Sequence, residues 1–314
     1  MIDRTVALAV DLGGTKVETA LVDDTGALLE GSRHRRPTGN ASPSPVLEAA
    51  VTEAVQAALA ALPAWASLRG VGIGSAGPIN VAIGAVSPLN IPAWRDYPLR
   101  DLVASLVPAG TPVTLRMDGL CIALAEHWVG AGRGYDNVMG MIVSTGIGGG
   151  LILAGNAVAG PTGNAGHIGH VEVGGFDDPC LCGGIGCVEA IASGPKTVAW
   201  ANRQGWVGAT GEELAASYAA GDAIARAAVE RSGRAIGQAI ASASSLDDLD
   251  IVAIGGGFSH VSPDLFDHIR AAIAKRTEFG FVTKTKVVPS GLSGSGPLIG
   301  AAALVHRAEL VPSA

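Results

Sequence analysis

Residues 6–22 read VALAVDLGGTKVETALV, and residues 138–155 read VMGMIVSTGIGGGLILAG. Each is an apolar run, a polar turn rich in glycine, and a second apolar run, which predicts strand, reversal, strand. Two such hairpins in one chain predict an internal duplication. In the first, Asp11 directly follows the strand over residues 5–10, Gly13 and Gly14 permit a sharp reversal, and Thr15 and Lys16 lie at its tip. Backbone N–H groups in such a turn can surround a phosphate, with the threonine hydroxyl and the lysine adding contacts. The same residues also suit a plain glycine hairpin, and local sequence leaves both readings open. The spacing is not that of a Walker loop. The second turn carries Ser144, Thr145, Gly146, Gly148 and Gly149.

Between the hairpins, residues 46–62 repeat apolar side chains at helical spacing, and residues 70–73 form a strand that ends in GSAGPIN. The proline-dense loop SPLNIPAWRDYPL follows; Asn90 and Trp94 there suit either a cleft lining or a covering loop. Residues 113–116 form a strand and residues 120–129 a helix, so Asp118 sits where strand gives way to helix. That is the usual place for working residues in open α/β sheets and also suits a helix-capping aspartate. Beyond the second hairpin the sequence predicts a long helical half over residues 193–246. A strand over residues 250–254 then ends in Gly255, Gly256 and Gly257. Helix 263–275, strand 286–289 and helix 298–307 complete the chain.

Residues 167–189, HIGHVEVGGFDDPCLCGGIGCVE, hold three of the four cysteines. With His170, the residues Cys180, Cys182 and Cys187 make a three-thiolate, one-imidazole set, the donor chemistry of a closed, structural zinc site. Three buried thiols, or one disulfide and a spare, is the alternative. A C-x-C pair bridges to itself poorly, and the glycines around it let the backbone wrap an ion.

The chain has 314 residues, enough for two domains sharing a cleft, with 48% hydrophobic and 16% charged residues. A net charge of -7 offers no footprint for nucleic acid, and the short basic cluster over residues 33–36 reads as a solvated loop. No apolar run is long enough to span a bilayer, so no membrane partner is expected. The N-terminus lacks the pattern of a secretory signal, and cysteines spaced for metal suit a reducing cytoplasm.

Two glycine turns and a strand-ending GGG provide what phosphoryl transfer asks of a protein: backbone donors around phosphates. Asp11 can position Mg²⁺ through water, and Asp118 is the candidate acceptor of the proton from an attacking hydroxyl. The cysteines are committed to metal, and the sequence shows no Ser–His–Asp or Cys–His nucleophile set.

The segments VDLGGTK, GIGSAGPIN, LNIPAW, STGIGGG, GNAGHIGH, CLCGGIGCVEAIASG and AIGGG together resemble the ROK family of sugar kinases and sugar-responsive regulators, across nearly the whole chain. The resemblance implies an α/β, two-domain actin/hexokinase-like (ribonuclease H-like) fold with an interdomain cleft. The smaller domain would be residues 1–117 with the helix 298–314, and the larger, zinc-bearing one residues 118–297. It implies ATP-dependent, Mg²⁺-assisted phosphorylation of a hexose or aminohexose at the 6-hydroxyl by a cytoplasmic homodimer.

Carried over position by position, Asp118 becomes the catalytic base, and His170 both a zinc ligand and a sugar contact. Gly77, Asn90, Asp118, His167 and Glu189 belong to the sugar pocket. Asp11, Gly13, Gly14, Thr15, Lys16, Thr145, Gly146, Gly256 and Gly257 lie on the nucleotide side. Two positions depart from the family's glucose kinases: Met117 replaces an asparagine that bonds sugar hydroxyls, and His167 replaces a glutamate. The HIGH form with CVEAIASG resembles N-acetylmannosamine kinases, and loss of the asparagine also suits a sugar altered at C3, such as 3-amino-3-deoxyglucose. A relaxed glucose kinase, a kinase using polyphosphate, and a non-catalytic sugar-binding regulator are the other readings. The family's repressors add an N-terminal helix-turn-helix, for which a first strand entered by Thr5 is expected to leave no room.

Overall fold

The computed structural model describes residues 4–292 and 294–311. The strands are β1 (Arg4–Leu12), β2 (Lys16–Asp23), β3 (His34–Pro37), β4 (Ala66–Ser75), β5 (Ile79–Asn80), β6 (Ala85–Val86), β7 (Val113–Met117), β8 (Val138–Val143), β9 (Ile147–Leu153), β10 (Asn156–Val158), β11 (Ile251–Gly255) and β12 (Lys286–Pro289). The α-helices are α1 (Ser44–Ala60), α2 (Leu99–Ser105), α3 (Asp118–Trp128), α4 (Val188–Ala192), α5 (Gly194–Arg203), α6 (Gly211–Ala219), α7 (Ala223–Asp247), α8 (Asp264–Arg276), α9 (Gly280–Thr283) and α10 (Gly296–His306).

The first sheet has the order β3-β2-β1-β4-β7 and the second β10-β9-β8-β11-β12. Each places its third, second, first, fourth and fifth strand side by side, so the duplication read from the hairpins extends to whole-sheet topology. In both, the third strand pairs antiparallel with the second, and the fourth and fifth continue in parallel from the first. Backbone contacts divide the chain into two units. One is Met1–Gly130, Gly150–Gly166 and Ser295–Ala314; the other is Ala131–Gly149 and His167–Gly294.

Strand alternation explains how the first unit is packed. Val6, Leu8, Val10 and Leu12 of β1 join the core cluster that includes Leu47, Val51 and Val55 of α1. Ala7 and Ala9, on the other face, join Leu298, Ala301 and Ala302 of α10. The small side chains on that face let α10 sit close: a Cβ added to Gly72 of β4 would stand 1.7 Å from the Ala301 carbonyl oxygen. The next residue on the Ala7–Ala9 face is Asp11, a carboxylate near the end of a strand that is buried from Val6 on and otherwise apolar there.

The single helical half expected over residues 193–246 is three helices. Gly205 and Gly221, both at positive φ, follow the ends of α5 and α6 and stop them. Thr210 and Glu213 form a capping box that starts α6, and the Asp222 carboxylate caps α7. The basic cluster is not a solvated loop. His34–Pro37 is the edge strand β3, and Arg33 and Arg35 both reach the buried Glu18 carboxylate, at 3.1 and 2.8 Å. Trp94 belongs to the core: it is fully buried, stacks on Tyr97 at 3.9 Å, and donates its Nε1–H to Ser44 Oγ at 2.9 Å. Among the described residues, no helix is long and apolar enough to cross a membrane.

Candidate functional site

In the first unit the two candidate carboxylates come from adjacent elements. Asp118 is the first residue of α3, immediately after β7, and its Oδ1 accepts the Gly119 backbone N–H at 2.7 Å. A carboxylate in the first helical turn is favoured by the helix dipole. α3 lies against Gly74 of β4, the cross-strand partner of Asp11: a Cβ there would stand 3.7 Å from the Asp118 Cα. Asp11 is 8% exposed. Burial, reinforced by the nearby negative charge of Asp118, pushes the Asp11 carboxyl up to about 7. Cys121, one turn along α3 from Asp118, is buried, and burial followed by the charges of Asp118 and Asp11 raises its thiol well above the usual range.

The turn after β1 is tied by its own backbone and by a residue that sequence reading missed. Gly13 N–H donates to the Lys16 carbonyl at 2.9 Å, and Thr38 donates its hydroxyl to the Gly13 carbonyl at 2.9 Å and its N–H to the Thr15 carbonyl at 3.0 Å. Nothing in the local sequence around Thr38 marks it for that task. Lys16 opens β2 and does not stand at the tip; its ammonium pairs with Glu18. Burial alone would raise Glu18, but hydrogen bonds from Lys16 and Arg35, with the charges of Lys16 and Arg33, hold it below the usual carboxylate range. Asn90 lies over this turn, since a Cβ on Gly14 would fall 2.4 Å from Asn90 Nδ2. Gly77 precedes Pro78 through a cis bond, and its carbonyl accepts the Leu89 N–H at 3.4 Å. Met117 is 1% exposed and part of the apolar core, so its side chain presents no polar group to a ligand.

In the second unit, the turn between β8 and β9 meets the helix that follows the cysteines. Glu189, in the first turn of α4, accepts the Ile147 N–H at 2.9 Å. A Cβ on Gly146 would stand 2.6 Å from Glu189 Oε2, so a methyl group there would push that carboxylate from its place. Gly256 sits at φ +96°, and its added Cβ would meet the Val143 carbonyl oxygen at 2.6 Å; only glycine brings β11's end so near the same turn. A cavity of about 360 Å³ opens here, lined by Ser144, Thr145 and Gly257. Its remaining walls come from Gly194 and Pro195 at the start of α5, Thr210–Glu212 at the start of α6, and Phe258 and His260 after β11. Two helix N-termini thus border one cavity. Of the residues expected on the nucleotide side, Thr145 and Gly257 line this cavity, Gly146 and Gly256 adjoin them in sequence, and the α5 and α6 contributions were missed. The T-x-x-E capping signature at Thr210 was the available signal for the latter.

The four candidate metal ligands converge as the spacing implied. One ligand atom from each of His170, Cys180, Cys182 and Cys187 lies within 4.8 Å of the others. Cys180 Sγ is 3.6 Å from His170 Nδ1, and Cys182 Sγ is 3.6 Å from Cys187 Sγ. Tetrahedral zinc with bonds of about 2.0–2.3 Å has ligand–ligand edges of roughly 3.4–3.8 Å, so the donor set fits such an ion. Burial and the neighbouring cysteines push the Cys187 thiol up to about 12, a cost that a bound dication would reverse by taking the thiolate. His167 packs edge-on to His170 with ring centroids 4.7 Å apart. Burial, then the proximity of His170, lowers its pKa and favours a neutral imidazole.

Three comparisons bear on this arrangement. The model of the ROK family matches residues 7–308. An N-acetylmannosamine kinase of Yersinia pestis is 35% identical over 257 residues, covering 79% of this chain and 82% of that protein. Two solved structures superpose over nearly all of this chain. A ROK family glucokinase from Streptomyces griseus, in complex with glucose and AMPPNP, is 29% identical with a TM-score of 0.82, covering 96% of this chain and 99% of that one. A ROK family transcriptional regulator, homologous to the MLC protein of E. coli, is 25% identical with a TM-score of 0.81, covering 97% and 78%. With the repeated sheet order, these likenesses give the two-domain actin-like α/β fold expected from the sequence.

Proposed function

Because this chain belongs to the ROK family, we propose that it is an ATP-dependent sugar kinase that moves the γ-phosphoryl group to the 6-hydroxyl of a hexose or aminohexose. The observation that carries the reading is the pairing of Asp118, at the head of α3, with the buried Asp11 in the unit that holds the DLGGTK turn. A sensor has no need of two carboxylates forced together at a cost. A phosphotransferase needs one to accept the hydroxyl proton and one to hold Mg²⁺ through water.

In this reading Asp118 is the general base, Asp11 the metal-positioning carboxylate, and the backbone of Gly13, Gly14 and Thr15 cradles phosphate. Thr145 and Gly257 line the cavity that takes the body of the nucleotide, and Gly146 and Gly256 adjoin them in sequence. Gly77, Asn90, His167, His170 and Glu189 meet the sugar. Lys16, held by Glu18, acts through its charge. His170, Cys180, Cys182 and Cys187 would hold a zinc ion that stiffens the segment leading to Glu189. Met117 removes one polar partner of the glucose pattern, and His167 puts an imidazole that can donate or accept where that pattern has a carboxylate, so an aminohexose is the preferred acceptor. N-acetylmannosamine heads the panel and 3-amino-3-deoxyglucose follows. The reading includes a cytoplasmic homodimer, checked by light scattering.

ADP release is measured with ATP, Mg²⁺ and a panel of glucose, mannose, N-acetylmannosamine, glucosamine and 3-amino-3-deoxyglucose, with Asp118→Asn as control. Turnover with at least one sugar that the variant abolishes is expected. No turnover with any sugar, or equal turnover by the variant, defeats the proposal.

A further inference from the structure

We propose that Arg231 is a positioning residue that fastens the loop entering the cysteines to the end of α4, so that Glu189 is held ready for the sugar. The proposal rests on the sugar-binding role of Glu189 given above. Arg231 projects from α7 with its side chain 13% exposed. Its guanidinium carbon lies 5.1 Å from the ring centroid of Phe176 and 5.3 Å from that of Trp200. One nitrogen pairs with Asp178, itself 10% exposed, and another donates to the Ile191 carbonyl at 3.2 Å. Phe176 and Asp178 belong to the loop that leads to Cys180, whereas Ile191 lies in the last turn of α4.

α4 has five residues, too few to sustain a helix by its own hydrogen bonds. It is held from outside at both ends. Glu189 takes the Ile147 N–H at its start, and Arg231 takes a carbonyl left without an intrahelical partner at its end. A cation there also complements the helix dipole. The Asp178 carbonyl accepts the Gly186 N–H at 2.9 Å, which closes the cysteine loop on itself. One guanidinium therefore links that closed loop, α4 and α5. Lysine cannot replace it: the contacts need a flat cation held over two aromatic rings and forked toward a carboxylate and a carbonyl at once.

Arg231→Lys and Arg231→Met are compared with the wild-type holoprotein. Zinc release to 4-(2-pyridylazo)resorcinol is followed by absorbance, and KM for sugar and for ATP is measured separately. Release about tenfold or more faster in both variants is expected, the scale of effect for groups that support metal ligands. Sugar KM should rise by about tenfold, with kcat and ATP KM within about threefold of wild type. Unchanged release, or sugar and ATP KM rising together, overturns the proposal, since plain loss of stability has no reason to single out the sugar. Should either variant fail to fold, Asp178→Asn reads the same linkage from its other end. If the wild type phosphorylates no sugar in the panel, the kinase reading fails by itself, and zinc release still decides the role of Arg231.

Discussion

The two hairpin turns occupy equivalent places in their sheets, yet their surroundings differ in kind. The first follows a strand with a buried carboxylate one residue before its end, has a second carboxylate nearby at a helix start, and adjoins Glu18 with its three cations. The second follows a strand that ends in Ile142 and Val143 and opens on a cavity walled by small residues, Phe258 and two helix starts. Duplication supplied one backbone plan, and substitution at a handful of positions gave one copy charge and the other room. The kinase reading proposed above assigns the charged groups of the first turn to the reacting atoms and the largely neutral cavity of the second to the nucleotide.

Removing a key group beside the first turn and one in the second gives the sharpest test of this contrast. Asp118→Asn should lower kcat by about 10²–10⁴-fold with little change in folding, the span expected for loss of a general base. Thr145→Val, at the second turn, should change kcat by less than about tenfold and act on ATP KM. Equal kcat losses in steady-state assays would erase the distinction.

The buried charge of the first turn should also appear in stability. Because the folded protein holds a proton on Asp11 up to about pH 7 and the unfolded chain releases it near pH 4, folding binds a proton between those values. Stability contributed by the protonated form is therefore complete below the unfolded value and falls as pH rises toward 7. Asp11→Asn should leave urea stability nearly unchanged at pH 4 and raise it by on the order of 3–4 kcal/mol at pH 8, in buffer without Mg²⁺. A gain of the same size at both pH values would remove Asp11 from this account.

A smaller effect is expected at the second turn. Gly146→Ala drives a methyl group toward Glu189 and should raise sugar KM by about tenfold, roughly 1.4 kcal/mol, with the melting temperature little affected. Smallest of all, Arg36→Ala breaks an exposed pair with Glu53 and should cost under about 1 kcal/mol in denaturant melts. A larger loss would show that charge near the first turn matters well beyond Glu18.

What sequence made legible follows the same physics. β1, β8 and β11 are buried strands with parallel neighbours and read as continuous apolar runs, while α1 and α8 carry a helical period. The cysteine cluster was readable because metal ligands are fixed in type and close in sequence. β3 was not readable: HRRP has no apolar member, and its order comes from pairing with β2 and from a carboxylate fifteen or more residues earlier. Trp94 looked like a cleft residue because its loop is rich in proline, and only the folded chain shows the Ser44 and Tyr97 that bury it. The cavity resisted for a related reason, since its walls come from four separate segments, none of which carries a ligand signature alone.

The close seat of α10 on β4 also bears on how the protein is made. A ribosome delivers the strands of the first unit early, but the helix that covers their alanine face emerges only after the entire second unit has been synthesised. Until then that face lacks its cover, so the first unit cannot complete its native packing before the chain is nearly finished, although its synthesis began first.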